Sequence, residues 1–250
     1  MSDDIHPLKH WTSARVGNGR AGGSLPHGEL LRFRLDHAKA RDAVHACFDP
    51  ASLAAELEPL GLPVILAHSQ AGDRATYLQR PDLGRRLSPE SAGKLAAHHG
   101  DHDLVIILAD GLSATAAHRQ GPPLLGALLP LLESWALAPL VIVPFARVAL
   151  QDEIGHALGA RAALILLGER PGLGSPDSLG AYLVHSPRSG NTDARRNCVS
   201  NIRPEGLPPA AAARRIAWLL HESRRLGFSG VDLKDTSESA ISGEVNGAIG

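Results

Sequence analysis

Short apolar runs alternate with stretches of helical period through the middle of the chain. Leu104-Val105-Ile106-Ile107-Leu108 is a continuous apolar run. It is too short for a helix and too apolar for a strand with one wet face, so it predicts a strand buried on both sides. Asp110-Gly111 ends it. Leu124, Leu125, Leu128, Leu131 and Leu132 then recur at helical spacing. Residues 140–143 predict the next strand, closed by Pro144. Residues 151–158 predict a short helix, with Gly159 just past its end. A third strand follows at 164–167 and a fourth at 181–185. Strand and helix in this alternation predict a parallel α/β sheet with flanking helices.

Flanking regions are less regular. Residues 1–27 lack a period, and the glycines at 17, 19, 22 and 23 read as an arm or loop. From 28 to 48 the period is helical, with Leu31, Leu35, Ala38 and Val44 near one face. Asp49-Pro50 stops that helix, because a residue before proline avoids helical backbone. A short helix is expected at 52–58 and a short strand at 62–66. Ser88-Pro89-Glu90 opens another helix, Ser as cap and Pro in the first turn. The region before residue 100 is therefore mainly helical. Residues 186–208 are polar and read as one long loop, a length that in a compact domain is functional or disordered. After Pro208-Pro209 a strong helix places Ala212, Ile216, Leu219 and Leu220 on one side. Residues 235–250 carry few anchors and are expected to be mobile.

Composition narrows the function classes. The 250 residues suit one large domain or two small ones. With 25 basic and 26 acidic residues the net charge is −1, which argues against a basic nucleic-acid tract and an acidic solvating protein. No uninterrupted apolar window is long enough to span a membrane. The start, Met1-Ser2-Asp3-Asp4-Ile5-His6, lacks an apolar segment, so no secretory signal is expected. Cys47 and Cys198 are expected to be free thiols in a reducing compartment. Arginine greatly outnumbers lysine, which suits bidentate, partly buried contacts but also follows from base composition.

In open parallel sheets ligands bind outside the carboxyl ends of the strands. The first such end is Asp110-Gly111-Leu112-Ser113-Ala114-Thr115. It resembles a nucleophile elbow, although Thr115 stands where that turn wants glycine. Ser113 is therefore either the nucleophile of a serine hydrolase or the cap of the following helix. The second end, Gly168-Glu169-Arg170-Pro171-Gly172-Leu173-Gly174, is neither a P-loop nor a dinucleotide fingerprint. It offers a carboxylate, Glu169, among glycines that let a flat ligand approach the backbone. A nucleotide-binding interaction protein is a further alternative. In the segment 195–206, Cys198 as a nucleophile would need its pKa lowered by Arg195 and Arg196. The ordinary alternative is a solvated loop. His98-His99-Gly100-Asp101-His102-Asp103 matches no zinc spacing, so no metal ligand is assigned. Arg80, Arg85 and Arg86 suit an anion or a partner carboxylate, and equally a solvated face.

Six motifs together carry a resemblance. They are Gly19-Arg20-Ala21-Gly22-Gly23, Leu78-Gln79-Arg80-Pro81-Asp82-Leu83-Gly84-Arg85-Arg86-Leu87, Ala109-Asp110-Gly111-Leu112-Ser113, Phe145-Ala146-Arg147-Val148, the Leu167–Gly174 loop and Asn197-Cys198-Val199-Ser200-Asn201-Ile202. Covering roughly residues 10 to 234, the chain resembles the small (light) subunits of ethanolamine ammonia-lyase, an adenosylcobalamin-dependent radical enzyme. The resemblance implies a Rossmann-like cobalamin-binding domain over 101–234. It also implies that residues 1–100, with the N-terminal arm and the Arg80–Leu87 segment, contact a large subunit, in a hetero-oligomer of about six copies of each. Val148, Glu169 and Cys198 match the family's cobalamin contacts. No D-x-H-x-x-G motif is present, which suggests that the cofactor's own benzimidazole stays on cobalt. The implied reaction converts ethanolamine to acetaldehyde and ammonia, with no catalytic residue on this chain. The implied location is a bacterial microcompartment or the cytoplasm.

Overall fold

Six strands form one sheet in the computed structural model, which describes residues 15–237. They are β1 (Val64–Leu66), β2 (His102–Ala109), β3 (Leu140–Val143), β4 (Ala160–Gly168), β5 (Leu179–His185) and β6 (Arg196–Ile202). Their spatial order is β1-β3-β2-β4-β5-β6. The first four lie parallel, while β5 runs antiparallel to β4 and β6 antiparallel to β5. The expected α/β sheet with flanking helices is present. It is parallel over four strands and mixed as a whole, because an apolar run encodes burial but not direction.

The apolar runs are buried on both faces, and their alternation feeds two cores. Leu104, Ile106 and Leu108 of β2 join Leu140 and Ile142 of β3 and Leu164 and Leu166 of β4 on one side. This face is covered by α2 (Pro50–Leu57), α5 (Ala114–Leu128) and α7 (Pro209–Leu226). Val105, Ile107, Val141, Val143, Ala163 and Ile165 face the other way, against α4 (Pro89–Ala96) and α6 (Leu150–Leu158). The remaining helices are α1 (His27–His45) and α3 (Arg74–Gln79). Capping follows the sequence. Asp49 accepts from the Ala51 and Ser52 amides ahead of α2, and Ser88 accepts from the Ser91 amide ahead of α4. Gly159 closes α6 in left-handed conformation.

Two expectations need correction. Residues 186–208 are not one loop, since β6 forms at their centre. Its two buried apolar residues, Val199 and Ile202, stand three apart, whereas Ala181 and Leu179 opposite them stand two apart. That register shift is a β-bulge, and it erases the period of two that marks a strand. The apolar positions of α1 are the second case. Leu31 and Leu35 are 50% and 55% exposed, and only Ala43 of this helix is buried. Most of the expected mobile tail, 238–250, lies outside the described residues, as do residues 1–14. No helix among the described residues is long and apolar enough to cross a membrane.

Gly168, at the end of β4, shows how closely the chain packs at the carboxyl edge. A Cβ there would lie 2.1 Å from the Ser113 carbonyl oxygen and 2.4 Å from that of Asp110. Backbone cannot yield as a side chain does, so Gly168→Ala should cost roughly 3 kcal/mol or more. Gly93→Ala, in α4 with nothing within 4 Å of its would-be Cβ, should be neutral or stabilising by up to about 1 kcal/mol. Denaturant unfolding of both variants checks the contrast.

Candidate functional site

The carboxyl edge of the sheet is organised by Asp110, which follows β2 and is wholly buried. One oxygen accepts from Arg74 Nη2 at 2.6 Å, and the other from the Phe145 amide at 2.7 Å. Arg74 also donates to the Gly111 carbonyl and lies over the rings of both Tyr77 and Phe145. Phe145 is held at φ 57°, a backbone region that bulky residues rarely adopt. Asp110 and Ser69, whose hydroxyl donates to the Phe145 carbonyl, fix it there. Burial pushes the Asp110 carboxyl up to about 6, against the opposing pull of Arg74. The turn Phe145–Ala149 after β3 thereby takes its direction from a carboxylate at the end of β2.

That turn forms one wall of a cleft of about 710 Å³. Arg147, Val148 and Ala149 line it together with Pro81, Arg85, Tyr182, Asn191, Thr192, Asp193, Arg196 and Cys198. The Arg147 amide donates to the Gly84 carbonyl, and Arg147 Nη2 to the Tyr77 carbonyl. A Cβ on Gly84 would sit 3.1 Å from the Phe145 carbonyl oxygen. The Arg80–Leu87 segment is thus fastened to the turn that carries Val148.

The opposite wall comes from β5 and β6, where Tyr182 pairs with Cys198 across the strands. Arg196 is buried and ion-paired to Asp152 of α6 at 2.5 Å, with Asp193 at 3.3 Å. Gln151, with its amide turned to suit its neighbours, donates to the Tyr182 carbonyl and accepts from Arg196 Nη1. A buried pair of this kind holds position when its remaining hydrogen-bonding groups are satisfied, as they are here. Sequence reading missed Asp152, Gln151 and Tyr182. Their partners are distant in the chain, so no local spacing marks them.

Val148 and Cys198 therefore share one cleft. Glu169, after β4, stands beside it at the edge of β5 and β6. Its Oε2 accepts from the Ser178 hydroxyl at 2.5 Å and the Asn201 amide at 3.3 Å. Its Oε1 occupies the space that a Cβ on Gly180 would need, 2.9 Å away. Solvent reaches part of Cys198, yet the protein packed around it pushes the thiol up. The Tyr182 hydrogen bond opposes that shift and the Glu169 charge adds to it. Arg196, committed to Asp152, does not reverse this, so the geometry gives no support to a nucleophilic Cys198.

Other sequence candidates resolve as structural. Ser113 is fully buried, donates to the Pro176 carbonyl and accepts from the Ala116 amide as the cap of α5. Its hydroxyl is not available to a substrate, which removes the hydrolase alternative. His99 and His102 lie against the carbonyls of Ala157 and His98. No group of three or more ligand-type side chains gathers among the described residues. Arg80 pairs with Asp82 and Arg86 with Glu153, while Arg85 faces the cleft.

Comparison with known proteins adds an independent finding. The family described as Ethanolamine ammonia-lyase light chain (EutC) matches residues 2–234. The chain is similar to the "Ethanolamine ammonia-lyase small subunit" of Azotobacter vinelandii, 55% identical over 239 residues, covering 93% of this chain and 88% of that one. The protein of the same name from Xanthomonas campestris pv. campestris is 52% identical over 242 residues, with 94% and 89% covered. That of Rhodopseudomonas palustris is 53% identical over 236 residues, with 93% and 90% covered.

The buried carboxylate has a measurable signature. Its folded pKa of about 6 lies above the usual value of 3.8, so between those values the folded state holds more protons than the unfolded state. Stability contributed by this group is then present at low pH and lost as pH rises from about 4 to about 6. Wild-type stability minus that of Asp110→Asn should fall across that window by up to about 3 kcal/mol and stay flat above it. Chemical unfolding at several pH values reads this difference. A difference that grows with pH would mean that the Arg74 charge outweighs desolvation.

Proposed function

The chain belongs to the ethanolamine ammonia-lyase light chain family, and on that premise we propose that it holds adenosylcobalamin against a large subunit. The complex would convert ethanolamine to acetaldehyde and ammonia. The observation that carries the reading is the meeting of Val148 and Cys198, far apart in sequence, on the walls of one cleft beside Glu169.

The donor set suits the cofactor. A corrin ring is broad, apolar on its faces and fringed with amides. Val148 offers an apolar contact and Cys198 a neutral, soft one. Glu169 keeps Oε2 on Ser178 and Asn201, while Gly180, lacking a Cβ, leaves Oε1 room to accept from a ligand amide or hydroxyl. When bound, the cofactor supplies homolysis of a cobalt–carbon bond, the source of the radical in this reaction. The residues of this chain bind, orient and exclude water, and none is assigned to catalysis.

Residues 1–100 provide the surface for the large subunit in this reading. Its support is the exposed apolar residues of the N-terminal region, Leu25 and, on one face of α1, Leu31 and Leu35. The Rossmann-like region 101–234 is then the cofactor-binding domain, with Pro81 and Arg85 of the preceding region completing its cleft.

Co-purification with the large subunit and an assay for ammonia test the whole reading. The isolated chain should be silent and the complex active only with adenosylcobalamin. Ammonia release by the isolated chain would overturn it. Within the complex, Leu31→Asp with Leu35→Asp should weaken assembly by about tenfold or more, read by size-exclusion chromatography over a dilution series.

For Glu169 the expected order of cofactor affinity is wild type, then Glu169→Gln, then Glu169→Ala. Neutral hydrogen bonds are about half as strong as charge-assisted ones. Losing them costs about 1–3 kcal/mol, or roughly 5- to 150-fold in affinity. The adenosylcobalamin concentration giving half-maximal activity reads that order. Wild-type affinity in Glu169→Ala would make the residue purely structural.

A further inference from the structure

The arginines of the cleft are not alike. Arg196 is neutralised by Asp152 and flanked by Asp193. Arg147 and Arg85, on the facing wall, pair with no carboxylate among the described residues. Arg147 lies over the Tyr77 ring at 4.1 Å and spends Nη2 on the Tyr77 carbonyl. Its Nε is buried without an acceptor. That atom is out of reach of the cleft, so Nη1 is the donor that Arg147 can offer a ligand. Two uncompensated guanidiniums lie on segments fastened together by the Arg147 amide and the Gly84 carbonyl. This end of the cleft therefore carries net positive charge and donors in excess.

We infer that Arg147 and Arg85 form an anion-holding end of the cleft that takes a phosphodiester, the one carried by the nucleotide loop of the cofactor. The inference rests on the cobalamin reading above. The peripheral amides of that ligand are neutral, and its phosphodiester is the group that matches a cationic wall. The planar donors of Arg85 can pair with two phosphate oxygens at once, and Arg147 adds Nη1. The rival occupant is an acidic side chain of the large subunit, which would use the same charge but not distinguish ligands.

Equilibrium dialysis of the assembled complex, followed by corrin absorbance, separates these cases without any turnover. The probes are cyanocobalamin and dicyanocobinamide, the latter the same ring without the nucleotide loop or its phosphodiester. Wild type should bind cyanocobalamin more tightly. Arg147→Met should weaken cyanocobalamin by about tenfold or more and dicyanocobinamide by less than about twofold. Because Arg147 also supports Tyr77, Arg85→Gln serves as a second variant without that structural bond, with the same expected pattern at smaller size. Equal weakening of both ligands, or of neither, in both variants overturns the inference and leaves the cofactor reading standing. Weakened assembly with an unchanged ligand ratio assigns the arginines to the large subunit. A wild-type complex that binds neither corrinoid overturns the cofactor reading itself.

Discussion

A carboxylate without access to water, Asp110, sets the geometry on which the cleft depends. Left alone, such a charge would be costly to bury. Here Arg74 supplies the counter-charge, the Phe145 amide fills the second oxygen, and two neighbouring aromatic rings pack beside the guanidinium. Asp110 ends β2, Arg74 and Tyr77 belong to α3, and Phe145 to the turn after β3. One buried group thus decides how three segments meet. The left-handed Phe145 is the visible cost, and the direction of Arg147 and Val148 is the result.

Close backbone approach extends this edge to β4. The Leu112 amide donates to the Gly168 carbonyl, and neither Gly111 nor Gly168 has room for a side chain. Glu169 therefore leaves the sheet at a fixed place, tied by its own amide to the Ser178 carbonyl. Its carboxylate is held on one oxygen and open on the other. Turns after β3 and β4 aim Val148 and Glu169, and β6 carries Cys198.

Charge is distributed with the same economy. Compensated pairs, Arg74 with Asp110 and Arg196 with Asp152, lie inside and fix positions. Uncompensated arginines, Arg85 and Arg147, lie on the cleft wall. A buried pair contributes specificity of arrangement more than net stability. Arg85 and Arg147 pair with no carboxylate among the described residues, which leaves their charge available to a ligand, although Arg147 also braces Tyr77.

Much of this architecture was legible along the chain. Continuous apolar runs marked β2 and β3, Ser and Pro marked the start of α4, and the cap was one of the two roles legible for Ser113. The strand at 181–185 was legible and is β5, but its antiparallel direction was not, because period and hydropathy report burial while direction depends on how the chain returns; β6 was missed altogether. In β6 the bulge opposite Leu179 and Ala181 hid the alternation as well. Glu169 was legible as a carboxylate at a strand end, and Val148 and Cys198 through motif resemblance alone. By itself the sequence determined which residues enter the sheet, since solvent exclusion acts on each side chain by type and period. Only the tertiary structure decided which charges are neutralised and which remain free, because Coulomb pairing depends on separation in space, and Arg196 meets Asp152 across 44 positions of chain.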